Sequence, residues 1–253
     1  MAKSRDYRSC RTAIGKSFFW CSSTKEYDNL NRIDIAHVVE MYHNFAMHTP
    51  VSRFSSADMT RLLQANAVIF EGAQGALLDP QLGFAPHITK TCTTPNKAQL
   101  LLQRAGIDDA EIIGVTRCYM TRHGCGPFPT ECTGLEMYVP EEHNQTNVWQ
   151  GSMRVGWLDV VLLNYVCHSI LQIHSIALTH MDRWEGLAEK FLCTAYEHRE
   201  GFCLSTMSSW DETIDACTPV LTKIDEIQDL CHALPRPVSI ESFGPRYRDK
   251  NFL

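Results

Sequence analysis

Residues 68–79 read VIFEGAQGALLD, an apolar run, one acid, and a single glutamine, Gln74, set between Gly72 and Gly75. Glycines there let the backbone approach a ligand closely or take a positive φ. The Gln74 amide offers an acceptor and an NH2 donor, which suits a base edge or an oxygen gaining negative charge. On spacing alone, a plain strand-to-loop turn with Gln74 in water is the commoner outcome. Three further loops carry comparable chemistry. TRHGCGPFPTE at 121–131 is stiffened by two glycines and two prolines, and its Arg122 suits a phosphate or carboxylate, or else a surface ion pair. His123 and His143 are candidate bases, although a lone histidine near an apolar segment is more often a satisfied core residue. LTHMD at 178–182 presents Asp182, a carboxylate able to accept from both N1–H and the 2-amino group of guanine, or to cap the following turn. SFGP at 242–245 adds a hydroxyl and a glycine turn.

The elements that must position these loops alternate. Apolar spacing from residue 33 to about 47 predicts a helix, and Ser55 or Ser56 with Asp58 in the first turn predicts a second through about residue 65. AVIF at 67–70 reads as a short buried strand, then come a helix at 97–103 and a strand at 112–120. A long helix from about Trp157 precedes a strand at 174–179, and a helix near 219–233 leads to a strand at 237–244. This order predicts an α/β fold with a largely parallel sheet flanked by helices. Ligand sites in such sheets gather at the carboxyl ends of strands, where EGAQG, TRHGCGPFPTE and THMD all fall.

The 253-residue chain shows no repeat and no Pro/Gly/Ser-rich linker, which favours one compact unit, with residues 1–60 the least defined part. A net charge of −6 supplies no basic field for nucleic acid. The 11 cysteines include no Cys-x-x-Cys pair, so neither a zinc ribbon nor a thioredoxin motif is present. Free thiols in a reducing cytoplasm are expected, and no leader is evident after Met1. The apolar stretch 157–178 contains Asp159, Asn164, His168, Gln172 and His174, which argues against a membrane span. TAIGKS at 12–17 ends like a phosphate loop, but Cys10 occupies the position of its first glycine, so Lys16 reads as solvated; a nucleotide kinase built on it is the outlying alternative.

Taken in order, FEGAQGALLD, HITKTCTT, YMTRHGCGPFPTE, RVGWLD, LTHMD and SFGP resemble the adenylosuccinate synthetase family from about residue 66 to the carboxy terminus. The resemblance implies a ligase of purine nucleotide biosynthesis that joins L-aspartate to a purine nucleoside monophosphate, IMP, with hydrolysis of a nucleoside triphosphate, GTP, and with Mg2+ assisting. The triphosphate phosphorylates the 6-oxygen of the base, and the aspartate amine then displaces phosphate. Residue by residue it implies Gln74 as the catalytic amide on the 6-oxygen and Thr89 on the 5′-phosphate, with Arg122, His123 and Gly126 beside the monophosphate. It further implies Asp182, His180, Ser242, Gly244 and Pro245 around the base of the triphosphate, and Thr146, Asn147 and Arg154 on the aspartate. A cytoplasmic homodimer is expected on the same ground.

Departures from the family pattern carry their own implications. Nothing in residues 1–60 matches the family's GDEGKGK phosphate loop or the histidine after it, so the fold is expected to be incomplete there; RTAIGKSFFW corresponds loosely to a later family loop. His180 replaces a lysine whose stem lies over the base, and of several arginines before GWLD only Arg154 remains. WQGSMRVG with LTHMD resembles the bacteriophage branch, the 2-aminoadenylosuccinate synthetases that act on dGMP and can use ATP. A nucleotide-binding chain without turnover, or a regulatory partner of a complete synthetase, is the further alternative.

Overall fold

The structure is a computed structural model that describes residues 33–50, 55–140, 144, 146–147, 151–170, 172–198, 203–204, 214 and 217–253. TAIGKS and His143 lie outside the described residues. The chain forms two compact units, Met1–Ser56 and Ala57–Leu253. In the first, helix α1 (Ile35–His48) starts on Asp34, whose carboxylate accepts from the N–H groups of Ala36 at 2.9 Å and His37 at 3.2 Å, satisfying donors that the first helical turn leaves free. None of its residues is buried.

The second unit opens with α2 (Ser56–Ala65) and α3 (Asn96–Arg104), joined where Gln64 Nε2 donates to the Ala105 carbonyl at 3.1 Å. Strand β1 (Ile113–Arg117) is followed by β2 (Met120–His123), β3 (Met153–Gly156) and β4 (Leu158–Asp159), which runs into helix α4 (Val160–Ser169). Then come β5 (Ser175–Thr179), α5 (Met181–Glu185), β6 (Phe191–His198), β7 (Cys203–Leu204), β8 (Cys217–Lys223), α6 (Ile227–Ala233), β9 (Val238–Ser242) and β10 (Lys250–Phe252).

The main sheet has the order β1-β5-β9-β10, with β1, β5 and β9 parallel and β10 antiparallel. Central β5, SIALT, is buried along nearly its whole length, as an interior parallel strand covered on both faces must be. A second sheet is built around β6, which pairs with β4 in parallel and with β7 and β8 antiparallel. Leu158, Leu178, Leu192 and Leu230 are at most 1% exposed and belong to one core cluster, each contributing about 1.5–3 kcal/mol by leaving water.

The α/β class and the parallel sheet agree with expectation; several elements differ. Residues 67–70 form no strand: they have no ladder neighbour among the described residues, and Ile69 is 93% exposed. The single strand expected at 112–120 is two. At Cys118, whose N–H donates to the Thr179 carbonyl at 3.0 Å, the chain leaves the parallel sheet, and β2 pairs antiparallel with β3 instead. The helix expected from 219 begins only at Ile227, since 217–223 carries the β-favouring run TPVLTK and pairs along β6. The long helix starts three residues after Trp157, at Val160, once Asp159 has capped it.

Candidate functional site

Gln74 takes a left-handed backbone, φ 67°, which a residue with a Cβ seldom adopts. Gly72 and Gly75 carry none of this strain, and no atom lies within 4 Å of where a Cβ on either would stand. The two glycines therefore leave open space around an amide that is itself twisted into position. Gln74 Oε1 accepts from Thr91 Oγ1 at 3.2 Å, and Thr91 Oγ1 lies 3.2 Å from Thr89 Oγ1. The tertiary structure thus joins Gln74 to Thr89 through Thr91, across a sequence separation of fifteen residues.

Asp79 makes this junction possible. Its side chain, 2% exposed, accepts from Gln81 N at 2.9 Å and from Thr93 N at 2.8 Å, while Thr93 Oγ1 donates to the Gly75 carbonyl at 3.1 Å. Burial works to raise the Asp79 pKa, but the hydrogen bonds from Gln81, Thr93 and Cys92 outweigh it and hold the carboxyl below its ordinary range. One ionised side chain therefore pins the EGAQG turn to the HITKTCTT segment. Its signal in the sequence was an acid closing the apolar pair at 77–78, a pattern too common to single out.

A second cluster forms on the β2–β3 hairpin. Arg122 Nε donates to the Cys125 carbonyl at 2.9 Å and its Nη2 to the His87 carbonyl at 3.1 Å, with the guanidinium 5.6 Å over the Phe84 ring. Because His87 begins the segment carrying Thr89, Arg122 links the two clusters. Burial, and then the charge of Arg154, lower the Arg122 pKa. Gly126 has φ 115°, and a Cβ there would run into the Arg122 guanidinium and lie 2.8 Å from His87 Cβ. His123 Nε2 lies 3.3 Å from the Gly151 carbonyl.

Arg154 is almost fully engaged. Its Nε and Nη2 grip the Glu131 carboxylate as a fork, and its Nη1 donates to the carbonyls of Gly124 at 3.1 Å and Gly126 at 2.9 Å. The bond from Arg154 lowers the Glu131 pKa. Among the described residues, one Nη2 hydrogen of Arg154 has no acceptor. Thr146 lines a cavity of about 300 Å3 with Glu136, Asn144 and Ser152, and Asn147 forms a paired bridge with Gly151. No lysine or arginine lies between Arg122 and Arg154. A ligand in that cavity would meet the hydroxyl and amide groups of Thr146, Ser152 and Asn144 and, on the same lining, the side chain of Glu136.

The third cluster stands at the carboxyl ends of β5 and β9, adjacent parallel strands with Leu178 opposite Glu241. His180, φ 60°, has its Nδ1 3.0 Å from Thr179 Oγ1 and its ring edge-on to Tyr119, with centroids 5.7 Å apart. Asp182 is two residues on, paired with Arg183 at 3.3 Å. From β9, buried Ser242 donates through Oγ to the Gly244 carbonyl at 3.2 Å, and Pro245 follows in the exposed part of the same loop. The residues expected around a triphosphate base therefore share one end of one sheet. No group of three His, Cys, Asp or Glu side chains arranged to hold a metal occurs among the described residues, so none of them is assigned to Mg2+. Among the described residues no helix is long and apolar enough to cross a membrane.

Comparison with known proteins bears on the fold and the family. The family described as adenylosuccinate synthetase matches residues 16–235. The adenylosuccinate synthetase of Chlorobium chlorochromatii is 36% identical over 203 residues, covering 78% of this chain and 46% of the relative. That of Baumannia cicadellinicola is 32% identical over 229 residues, covering 78% and 52%. The chain spans about half the length of the curated relatives it matches. Among solved structures, the fully ligated adenylosuccinate synthetase from Plasmodium falciparum superposes with a TM-score of 0.73 at 24% identity, over 90% of this chain and 60% of that one. The cyanophage S-2L succinoaminodeoxyadenylate synthetase bound to dGMP and dATP superposes with a TM-score of 0.53 at 17% identity, over 84% and 54%. The structural likenesses support the fold, and the family match together with the identity to these relatives shows the lineage: the chain belongs to the adenylosuccinate synthetase family.

Proposed function

We propose that this chain binds a purine nucleoside monophosphate, with Gln74 on the 6-oxygen of the base and Thr89 on the 5′-phosphate, beside the loop of Arg122, His123 and Gly126. The observation that carries this reading is the bond from Thr91 to Gln74. It engages the carbonyl end of the amide and leaves Nε2 as a donor with no partner among the described residues. A donor there suits an oxygen that becomes more negative as it is phosphorylated.

Asp182 and His180, with Ser242, Gly244 and Pro245, would hold the base of a nucleoside triphosphate. With the phosphate-loop part of the family fold, these sites make up a ligase that joins L-aspartate to IMP at the expense of GTP, in the cytoplasm and as a homodimer. Thr146, Asn147 and the remaining N–H of Arg154 would receive the aspartate. Mg2+ neutralises phosphate charge in such transfers, where positioning supplies most of the catalysis.

Equilibrium titration with IMP tests the monophosphate site. Binding by the wild type and a loss of about tenfold or more, ~1.4 kcal/mol, in Gln74→Ala is expected. No binding at millimolar IMP or dGMP would overturn the proposal. The cyanophage likeness favours a second reading, dGMP with ATP, and competition between IMP and dGMP separates the two. A third reading, nucleotide binding without turnover, as in a regulatory partner, predicts no phosphate release even when an intact amino-terminal half of the family fold is added together with monophosphate, triphosphate, aspartate and Mg2+.

A further inference from the structure

Lys250 stands directly opposite Ser242 in the antiparallel β9–β10 pair. Its ammonium reaches past the strand end into the loop after Ser242, where it donates to the Gly244 carbonyl and, at 3.1 Å, to the Arg246 carbonyl. Its neighbour Asp249 ties the same loop through the opposite groups: the Asp249 carboxylate accepts from Arg246 N at 2.8 Å, and its backbone carbonyl accepts from Phe243 N at 2.8 Å. At Gly244 a Cβ would stand 2.7 Å from Asp249 Oδ2, so only glycine fits beneath this clamp.

The bonding leaves the loop with a definite polarity. A carbonyl oxygen has two lone pairs. That of Gly244 already accepts from Ser242 Oγ and Lys250 Nζ, that of Arg246 accepts from Lys250 Nζ and, at 3.0 Å, from Asp249 N, and Pro245 has no N–H. A base presenting a 6-amino donor therefore finds the Gly244 carbonyl saturated. A base presenting a 6-oxo acceptor, with N1–H and the 2-amino group turned to Asp182, needs no carbonyl from this loop.

We infer that Lys250 is a positioning residue that shapes the loop at residues 242–246 and makes this site choose a guanine over an adenine nucleoside triphosphate. The inference rests on the assignment of the β5–β9 end to the triphosphate base. Lys250→Met frees one lone pair on each of the Gly244 and Arg246 carbonyls for a 6-amino group, the other staying with Ser242 Oγ and Asp249 N.

The test is equilibrium titration of GTP, ATP and inorganic tripolyphosphate into the full chain at fixed ionic strength, for wild type, Lys250→Met and Lys250→Arg. Wild type is expected to bind GTP at least about tenfold tighter than ATP, ~1.4 kcal/mol. Lys250→Met should bring that ratio towards one with tripolyphosphate affinity little changed, and Lys250→Arg, which keeps a cation, should retain most of the preference. If Lys250→Met melts below the assay temperature, Lys250→Gln takes its place. An unchanged ratio in the neutral variant, or a wild type that prefers ATP, would overturn the role of Lys250 while leaving the site in place, provided Asp182→Asn loses nucleotide binding. Failure of the wild type to bind either triphosphate would instead overturn the assignment of the site, and the inference with it.

Discussion

Arg122 and Arg154 face each other as paired residues of the β2–β3 ladder, two like charges side by side, and both guanidiniums turn onto the loop between them. Like charges directly opposite destabilise a sheet. Here the repulsion is offset because three successive carbonyls, those of Gly124, Cys125 and Gly126, together with the Glu131 carboxylate, surround the pair. The loop is held from inside by cations, so its shape depends on the planar fork of an arginine. A lysine at 154 reaches one or two of these acceptors and not all. Arg154→Lys is expected to lower unfolding free energy by about 1–2 kcal/mol, allowing for the partial exposure of Glu131, and to weaken monophosphate binding through Arg122. Denaturant midpoints and IMP titration read the two effects separately, and a midpoint equal to wild type would contradict the account.

At Gln74 the left-handed backbone is a local cost borne by a residue with a Cβ, on the order of 1 kcal/mol. Glycine takes that conformation without strain, and no packing contact lies beneath the neighbouring glycines to be lost. Gln74→Gly is therefore expected to leave the thermal midpoint unchanged or slightly higher while weakening monophosphate affinity about tenfold or more, as in Gln74→Ala. A clear fall in the midpoint would show that Gln74 is held for the fold instead.

Asp159 is completely buried at the start of α4, where it accepts from Leu162 N at 3.0 Å and from the Tyr196 hydroxyl at 2.6 Å. Burial pushes its pKa up to about 6, while hydrogen bonds from Tyr196, Leu162, Val161 and Cys193 pull the other way. In the unfolded chain the group titrates near ~3.9. Between these values the folded state binds a proton that the unfolded state lacks, so this carboxyl adds stability at low pH and loses it as pH rises through about 6. Asp159→Asn keeps the cap through its amide oxygen, turns an NH2 donor towards the Tyr196 hydroxyl oxygen in place of an acceptor, and has no proton to exchange. Relative to that variant, the wild type should gain stability as pH falls from about 7 to about 5. Asp79 and Glu131, whose carboxyls are held below their ordinary range, act in the opposite sense at lower pH and are common to both proteins. Parallel midpoint-against-pH curves would remove the assignment.

Much of the architecture is legible along the chain. The 3.6-residue apolar spacing predicts α1, to which the structure adds the Asp34 cap; the apolar runs at 175–179 and 238–242 are strands because their neighbours in sequence are turns and helices. The order EGAQG, HITK, GPFPTE, GWLD, THMD and SFGP marks the family, since each short loop keeps its chemistry wherever the chain folds.

Strand pairing is where local reading ends. Residues 217–223 are β-favouring but short, and only the complementary edge of β6, itself unrecognised in the sequence, makes them a strand. Residues 67–70 have the same apolar character and, lacking such an edge among the described residues, make none. The candidate site divides in the same way. The sequence by itself determined which side chains are available: an amide between glycines, hydroxyls in HITKT, two arginines flanking a rigid loop, and an aspartate after an apolar strand. Only the tertiary structure decided that Thr91 aligns the Gln74 amide, that Glu131 and loop carbonyls occupy Arg154, and that Lys250 meets the loop after Ser242. Side-chain chemistry is a property of each residue, whereas a hydrogen bond between distant segments exists only once sheet register and core packing have brought donor and acceptor within reach.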